Sequence, residues 1–244
     1  MGLSFDGTDI IKKPKLDLDR YRRWQQKQEE RLGRIRSEAA GKATGAARKA
    51  WAAMVPDVYK GATLESVKSY DPEAADRFRE LADLWASGKK RSNVLIYSNN
   101  DSRGKTWALY AWLTELVDRG VYQDPQREIV IVNEAWLTDD LYGFKTREAA
   151  KARLMDDHVK MIAIDSVGRV THSDAVAQAA WGMFKECISG RRLNLSCVAD
   201  QSIDPENQSL YMKQAVRRLK DFGIYDKLTP VELKSEPAHI RDMN

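Results

Sequence analysis

A polar loop that ends in Gly-Lys-Thr has the residue types that bind a phosphate chain. The apolar run Asn93–Tyr97 leads into this loop, and a helical pattern follows it. The loop consists of Asn99, Asn100, Asp101, Ser102, Arg103, Gly104, Lys105 and Thr106. It matches G-x-x-x-x-G-K-[ST] at every position except the first, which is Asn99. Backbone N–H groups of such a loop wrap the β-phosphate, Lys105 offers a cation to the β- and γ-oxygens, and the Thr106 hydroxyl ligates Mg²⁺. The loop therefore predicts that the chain binds ATP with Mg²⁺.

A second chemical signal follows about sixty residues later, where the apolar run 160–164 ends in Asp165. A carboxylate at the end of such a strand holds Mg²⁺ through its water shell. The next residue is Ser166, where ATPases of this kind usually place a Glu that activates the attacking water. Glu134 follows the strand 129–133, which is expected to neighbour the strand of Asp165, so Glu134 is a candidate replacement base. Hydrolysis through Glu134 and slow or absent hydrolysis both remain open.

Two further residues are candidates for contact with the terminal phosphate. Asp200 follows the strand Leu193–Ala199, at a position suited to a sensor of the γ-phosphate, although its charge must be offset by Mg²⁺ or an Arg. Arg218 lies on a helical stretch and is a candidate arginine finger that reaches the nucleotide of a neighbouring subunit. A solvated basic helix face is the alternative interpretation of Arg218.

Alternating strands and helices would position these residues. Short apolar runs predict strands at 93–97, 128–132, 161–164 and 193–199. Helical patterns separate them, at 71–87, 105–119, 149–157 and 174–188. Apolar strands separated by helices are typical of a parallel sheet with helices on both faces.

Composition limits the class of protein. The chain has 244 residues, of which 43% are hydrophobic and 31% charged, enough to bury a sizeable core. It contains no apolar run of membrane-spanning length and no signal-peptide pattern, so we expect a cytoplasmic protein without membrane contact. The two cysteines and three histidines lack ligand spacing, which argues against a disulfide framework or a zinc site.

The first fifty residues differ from the rest in charge. They contain 13 Lys and Arg against 7 Asp and Glu, a net charge of +6, whereas the remaining residues are slightly acidic. The segment 16–40 is rich in helix formers and has few apolar anchors. A solvated helix and a helix that docks on another protein are both consistent with this pattern.

Several of these segments together resemble a known family. Val55–Leu64, the phosphate-binding loop, Ile164–Arg169 and Arg218–Leu219 follow the order and spacing of the DnaC/DnaI-type replicative helicase loaders. The resemblance covers about residues 55–225. It implies an α/β fold of the AAA+ P-loop (ASCE) class, with a three-layer parallel sheet and no C-terminal lid domain. It also implies two domains, a helical N-terminal partner-binding arm at 1–52 and an ATPase core at 53–244.

The resemblance further implies partners. Loaders of this type form a homo-oligomeric spiral with ATP, hold a hexameric DnaB-type helicase and grip single-stranded DNA. Tyr21 and Trp24 would then anchor the helicase. The DNA-gripping segment would follow the second strand, where Phe144, Lys145 and Arg147 place an aromatic ring beside cations. The alternative for this segment is a surface loop whose aromatic residue packs on the core.

Departures from the family pattern fall at the nucleotide. Asn99, Ser166 and Asp200 replace the usual Gly, Glu and Asn, which preserves binding and puts hydrolysis in doubt. Such a pattern fits a divergent loader, for example one from a phage replication system. Two other functions compete with this one: an IstB-like transposition helper that binds duplex DNA with a transposase, and a non-hydrolysing adaptor. For the adaptor, Lys105→Ala would lower the melting temperature and leave partner and DNA binding intact.

Overall fold

The computed structural model describes residues 44–88, 93–98, 104–167, 174–191, 193–199 and 228–234. By its internal contacts the chain divides into two compact units, 1–42 and 43–244. The predicted arm, including Tyr21 and Trp24, lies outside the described residues, and its role stays a prediction.

In the described part of the chain, five strands form one sheet in the order β2-β3-β4-β1-β5. All neighbouring strands pair in parallel. The strands are β1 (Asn93–Tyr97), β2 (Ile129–Asn133), β3 (Met161–Val167), β4 (Asn194–Ala199) and β5 (Leu228–Glu232). The first four match the predicted strands within a few residues. The sequence analysis missed β5, which contains Pro230; this proline is tolerated because β5 is at the edge of the sheet.

Helices cover both faces of this sheet. They are α1 (44–54), α2 (Leu64–Lys68), α3 (Pro72–Ala86), α4 (Gly104–Asp118), α5 (Pro125–Glu128), α6 (Glu134–Trp136), α7 (Arg147–Met155) and α8 (Asp174–Ile188). A 3-10 turn occupies Asp57–Tyr59, and a π-helix occupies Leu137–Leu141. α1 to α4 pack on one face, while the π-helix, α7 and α8 pack on the other.

The strand residues alternate between these two layers. In β2, Ile129 and Ile131 face the core of α1 to α4, whereas Val130 and Val132 face the core of α7 and α8. This period of two is that of a sheet buried on both sides. The predicted three-layer α/β fold is therefore confirmed. No lid domain is evident among the described residues.

Helix α4 contacts both the sheet and helix α1. Most of its residues are buried, and the indole Nε1 of Trp112 donates to Ser196 Oγ of β4 over 3.1 Å. On its outer side, Trp51 of α1 donates from Nε1 to Thr114 Oγ1 over 2.9 Å. Ala47 of α1 is also buried in this core. The predicted domain boundary at 52/53 thus falls inside a helix that packs with the core.

Within the described ranges, no helix is long and apolar enough to cross a membrane.

Candidate nucleotide site and exposed loop

The two residues predicted to hold Mg²⁺ are in direct contact. Thr106 lies in the first turn of α4, and Asp165 lies near the end of β3. The Thr106 hydroxyl donates to Asp165 Oδ1 over 2.9 Å, although β4 separates β3 from β1 in the sheet. The fold therefore brings together two residues that are far apart in the sequence.

An irregularity in the sheet places Asp165. Ile164 pairs with Cys197 and Val167 pairs with Ala199, so β3 advances three residues where β4 advances two. The extra residue lies in the segment of Asp165 and Ser166. A bulge of this kind bends the strand and re-aims a side chain, and bulges are frequent beside active sites.

Hard oxygen ligands of this type suit Mg²⁺. The described residues contain no group of three or more His, Cys, Asp or Glu side chains that would hold a metal by themselves. Mg²⁺ in nucleotide sites typically uses one or two protein oxygens, with phosphate and water completing an octahedron. The Thr106 hydroxyl and the Asp165 carboxylate fit that arrangement.

Two tyrosines that the sequence analysis did not assign lie beside this pair. The Tyr59 hydroxyl lies beside the Thr106 side chain, and the Tyr59 ring stacks on Tyr110 with a centroid distance of 4.6 Å. Burial raises the pKa of Tyr59, and the negative charge of Asp165 raises it further. Burial, followed by Asp165 and Tyr59, raises the pKa of Tyr110 to about 12. Both rings therefore stay neutral at physiological pH.

The sequence contained a signal for both tyrosines. Tyr59 belongs to the Val55–Leu64 segment that carries the family resemblance. Tyr110 lies four residues after Thr106 on α4, which puts the two side chains on one face of the helix.

The remaining predicted nucleotide contacts are only partly described. Gly104 begins α4, and Lys105 in the same turn is buried, with 3% of its surface exposed. Asn99, Asn100, Asp101, Ser102 and Arg103 lie outside the described residues, as do Asp200 and Arg218. The roles of those seven residues stay predictions.

The question of a catalytic base stays open. Asn133 of β2 is in register with Asp165 of β3, as the predicted neighbouring of the two strands requires. Glu134 follows Asn133 and is the first residue of α6. The orientations of the Glu134 and Ser166 side chains are outside the description.

A cavity of about 350 Å³ opens beside Asp165. Its described lining includes Tyr110, Asn133, Trp136 and Arg153, together with Asp165 itself. The cavity thus extends from Asp165 to the end of β2.

The predicted DNA-gripping segment forms an exposed loop. We call residues 142–146 the aromatic tip; they follow the π-helix and precede α7. Phe144 is 92% exposed and Lys145 is exposed beside it. The alternative in which this aromatic packs on the core is therefore wrong.

Local contacts hold the aromatic tip. The Thr146 hydroxyl donates to the carbonyl oxygen of Asp140 over 2.8 Å, and Arg147 Nη2 donates to the carbonyl oxygen of Tyr142 over 3.0 Å. Gly143 approaches Asp139 so closely that a Cβ would lie 2.0 Å from its carbonyl oxygen. One nitrogen of the Arg147 guanidinium thus supports the aromatic tip. DNA contact by Phe144, Lys145 and Arg147 stays a prediction.

Comparison with known proteins supports the fold. No family model and no curated protein matches the sequence. A DnaI structure superimposes with a TM-score of 0.54 at 19% identity, over 73% of this chain and 94% of its own. The DnaC helicase loader superimposes with a TM-score of 0.50 at 14% identity, over 73% and 100%. Domain III of the replication initiation protein DnaA from Thermotoga maritima gives a TM-score of 0.50 at 17% identity, over 75% and 70%.

These likenesses concern the fold. The chain has the predicted three-layer α/β fold, and its similarity to the solved DnaI and DnaC loaders is confirmed at the level of fold. At such identities the comparison concerns the fold alone, so the function must be argued from the site.

Proposed function

We propose that this chain is a replicative helicase loader that binds ATP and Mg²⁺. It assembles as a homo-oligomeric spiral, docks a hexameric DnaB-type helicase through its N-terminal arm and helps to place that helicase on single-stranded DNA. The observation that carries the proposal is the hydrogen bond between Thr106 and Asp165, at a bulge in the sheet of a loader-like fold.

The nucleotide part of the proposal rests on charge. Lys105 supplies a cation to the β- and γ-phosphate oxygens, while the N-terminus of α4 adds the positive end of its dipole. Asp165 orients the Thr106 hydroxyl, and both provide oxygens for Mg²⁺. Mg²⁺, when bound, neutralises charge on the phosphates. The stacked Tyr59 and Tyr110 rings lie beside this pair.

The DNA part of the proposal rests on the aromatic tip. An exposed ring such as that of Phe144 offers a surface on which a base stacks, and this contact tolerates any sequence. Lys145 has no ion pair or hydrogen bond to a described residue, which leaves its ammonium available for the phosphate backbone.

Binding and switching, rather than fast turnover, are the proposed use of the nucleotide. Ser166 has no useful basicity at neutral pH, so hydrolysis requires another base. If Glu134 is that base, Glu134→Gln should abolish phosphate release and leave nucleotide binding unchanged. A rate already near zero in the wild type would instead favour a nucleotide-held switch without turnover.

The test is complex formation with a replicative helicase of the same host. Size-exclusion chromatography with light scattering would be run with ATP, with ADP and without nucleotide, beside phosphate release with and without single-stranded DNA. We expect a nucleotide-dependent complex that Tyr21→Ala combined with Trp24→Ala weakens. No complex under any condition would overturn the loader function.

Two controls separate the competing functions. A complex with a transposase and duplex DNA, in place of the helicase, would identify a transposition helper. Helicase and DNA binding that survive Lys105→Ala, with a lowered melting temperature, would identify a non-hydrolysing adaptor.

A further inference from the structure

The cavity beside Asp165 contains donors that the described contacts leave unused. Its volume of about 350 Å³ is in the range of small-ligand sites. Six elements contribute to its lining, which are α1, α4, β2, α6, α7 and β3, and the polar or aromatic side chains among them include Tyr110, Asn133, Trp136 and Arg153. Asp165 of β3, which is one of the two predicted metal ligands, completes the lining.

The Asn133 side chain has a fixed orientation. Its Oδ1 accepts a hydrogen bond from the backbone N–H of Trp136 over 2.7 Å. The oxygen must point at this N–H, because the amide nitrogen has no lone pair to accept with. Asn133 makes no other hydrogen bond to a described residue, so both Nδ2 protons remain available to a ligand.

Arg153 is the second donor. It lies in the last turn of α7 and forms no hydrogen bond or ion pair with any described residue. Other arginines nearby are engaged: Arg147 donates to Tyr142, and Arg191 donates to the carbonyl oxygens of Leu154 and Asp156. A guanidinium without a carboxylate partner on a cavity wall suits a phosphate group.

We propose that this cavity receives the terminal phosphate of a bound nucleoside triphosphate, with Arg153 and the Asn133 amide as donors from the same subunit. The inference rests on the proposed nucleotide site. The ligand held by Lys105 and Thr106 would reach Asp165 with its terminal phosphate, and Asp165 is where the cavity begins.

The chemistry of the lining favours a phosphate over an uncharged group. Asp165 alone would repel an anion, but Arg153 and a bound Mg²⁺ offset its charge. Tyr110 and Trp136 add aromatic surface to this lining. Arg153 would thus make the protein sensitive to whether a triphosphate or a diphosphate is bound, with no residue from a neighbouring subunit.

The test compares the affinities of two nucleotides. Calorimetric titration would measure the Kd of Mg-AMPPCP, which cannot be hydrolysed, and that of Mg-ADP. The proteins are the wild type, Arg153→Gln, Arg153→Lys and Arg77→Gln. Arg77 is the matched control, because it is an exposed arginine of α3 whose ion pair with Glu80 lies outside the cavity.

We expect Arg153→Gln to weaken AMPPCP binding about tenfold, as for the loss of one charge-assisted hydrogen bond, and to change ADP binding less than about twofold. Arg153→Lys should retain part of the difference in affinity between AMPPCP and ADP. Arg77→Gln should bind both nucleotides as the wild type does. Unchanged AMPPCP affinity in Arg153→Gln would overturn the inference. So would an equal loss for both nucleotides, or the same loss in Arg77→Gln.

A failure of this inference can be told from a failure of the proposed function. If Lys105→Ala loses both nucleotides while Arg153→Gln keeps both, the nucleotide site stands and the role of Arg153 is wrong. If the wild-type protein binds neither nucleotide, the proposed function is wrong and this inference with it.

Discussion

The Thr106–Asp165 pair and the aromatic tip are built in opposite ways. The pair lies in the packed part of the molecule, where a bulge between β3 and β4 and a helix after β1 bring two distant residues to 2.9 Å. The tip is formed within one short stretch of chain, by bonds from Thr146 and Arg147 to nearby carbonyl oxygens, and it presents Phe144 to solvent.

This difference between the two regions matches the two proposed ligands, a nucleotide phosphate and single-stranded DNA. A site for a charged phosphate benefits from low water content and fixed polar groups, which only the core of the sheet provides. A site for bases of any sequence needs an accessible ring, for which local hydrogen bonds suffice. Substitutions in the pair should therefore affect nucleotide binding, and substitutions in the tip should affect DNA binding.

Lys105→Ala should give the largest effect. Loss of the cation that meets two phosphates should weaken Mg-ADP and Mg-AMPPCP binding about a hundredfold, or about 2.7 kcal/mol. Calorimetry measures this change. Binding of a short single-stranded oligonucleotide without nucleotide should stay as in the wild type. If the substitution reduces oligonucleotide binding equally, the two regions are not independent.

The sequence predicted the pair better than its surroundings. Gly104, Lys105 and Thr106 at the start of a helix, and Asp165 at the end of an apolar strand, are local patterns with a known chemical purpose. The existence of β1 to β4 followed from the same kind of pattern, because these strands are short, apolar and separated by helices.

Other features of the site depend on contacts between segments that are far apart in the sequence, and no local pattern predicts such contacts. The bulge at Asp165 is a mismatch between β3 and β4, two strands that are about thirty residues apart along the chain. Arg153 looks like an ordinary surface residue of α7, and only the fold places it in a cavity with Asn133. β5 was missed because its Pro230 argues against a strand, and its edge position is known only from the sheet.

Gly143→Ala should give the second largest effect, and it should act on the aromatic tip. Its Cβ would lie 2.0 Å from the backbone oxygen of Asp139, so the turn must open. We expect a loss of about 2 kcal/mol in the free energy of unfolding, as for overpacking elsewhere, and weaker oligonucleotide binding. Urea denaturation and fluorescence anisotropy measure the two. Gly88→Ala is not a suitable control because its φ is +68°, so Gly182→Ala in α8, with open space around its Cβ, is used instead.

A wild-type stability for Gly143→Ala would contradict the close approach. If Gly143→Ala has the stability of the wild type but loses oligonucleotide binding, the aromatic tip still contacts DNA. Only the steric explanation of the loss is then contradicted.

Phe144→Ala should act on DNA alone. Loss of one stacking ring should weaken single-stranded DNA binding about tenfold, or about 1.4 kcal/mol, without change in the melting temperature, because the ring is 92% exposed. Fluorescence anisotropy with a labelled oligonucleotide measures the affinity. Val58→Ala, at another exposed apolar residue, is the control. A lowered melting temperature, or equal weakening by Val58→Ala, would remove the distinction between the tip and an ordinary surface.

Tyr59→Phe should give the smallest effect and tests how far the pair depends on its neighbours. The substitution removes the hydroxyl that lies beside Thr106 and keeps the ring that stacks on Tyr110. We expect a loss of about 1 kcal/mol in the free energy of unfolding, and a few-fold weaker binding of Mg-ADP because Thr106 is less firmly oriented. Oligonucleotide binding should not change. If Mg-ADP affinity is also unchanged, Asp165 alone orients the Thr106 hydroxyl, and the tyrosine pair belongs to the packing of α4 rather than to the site.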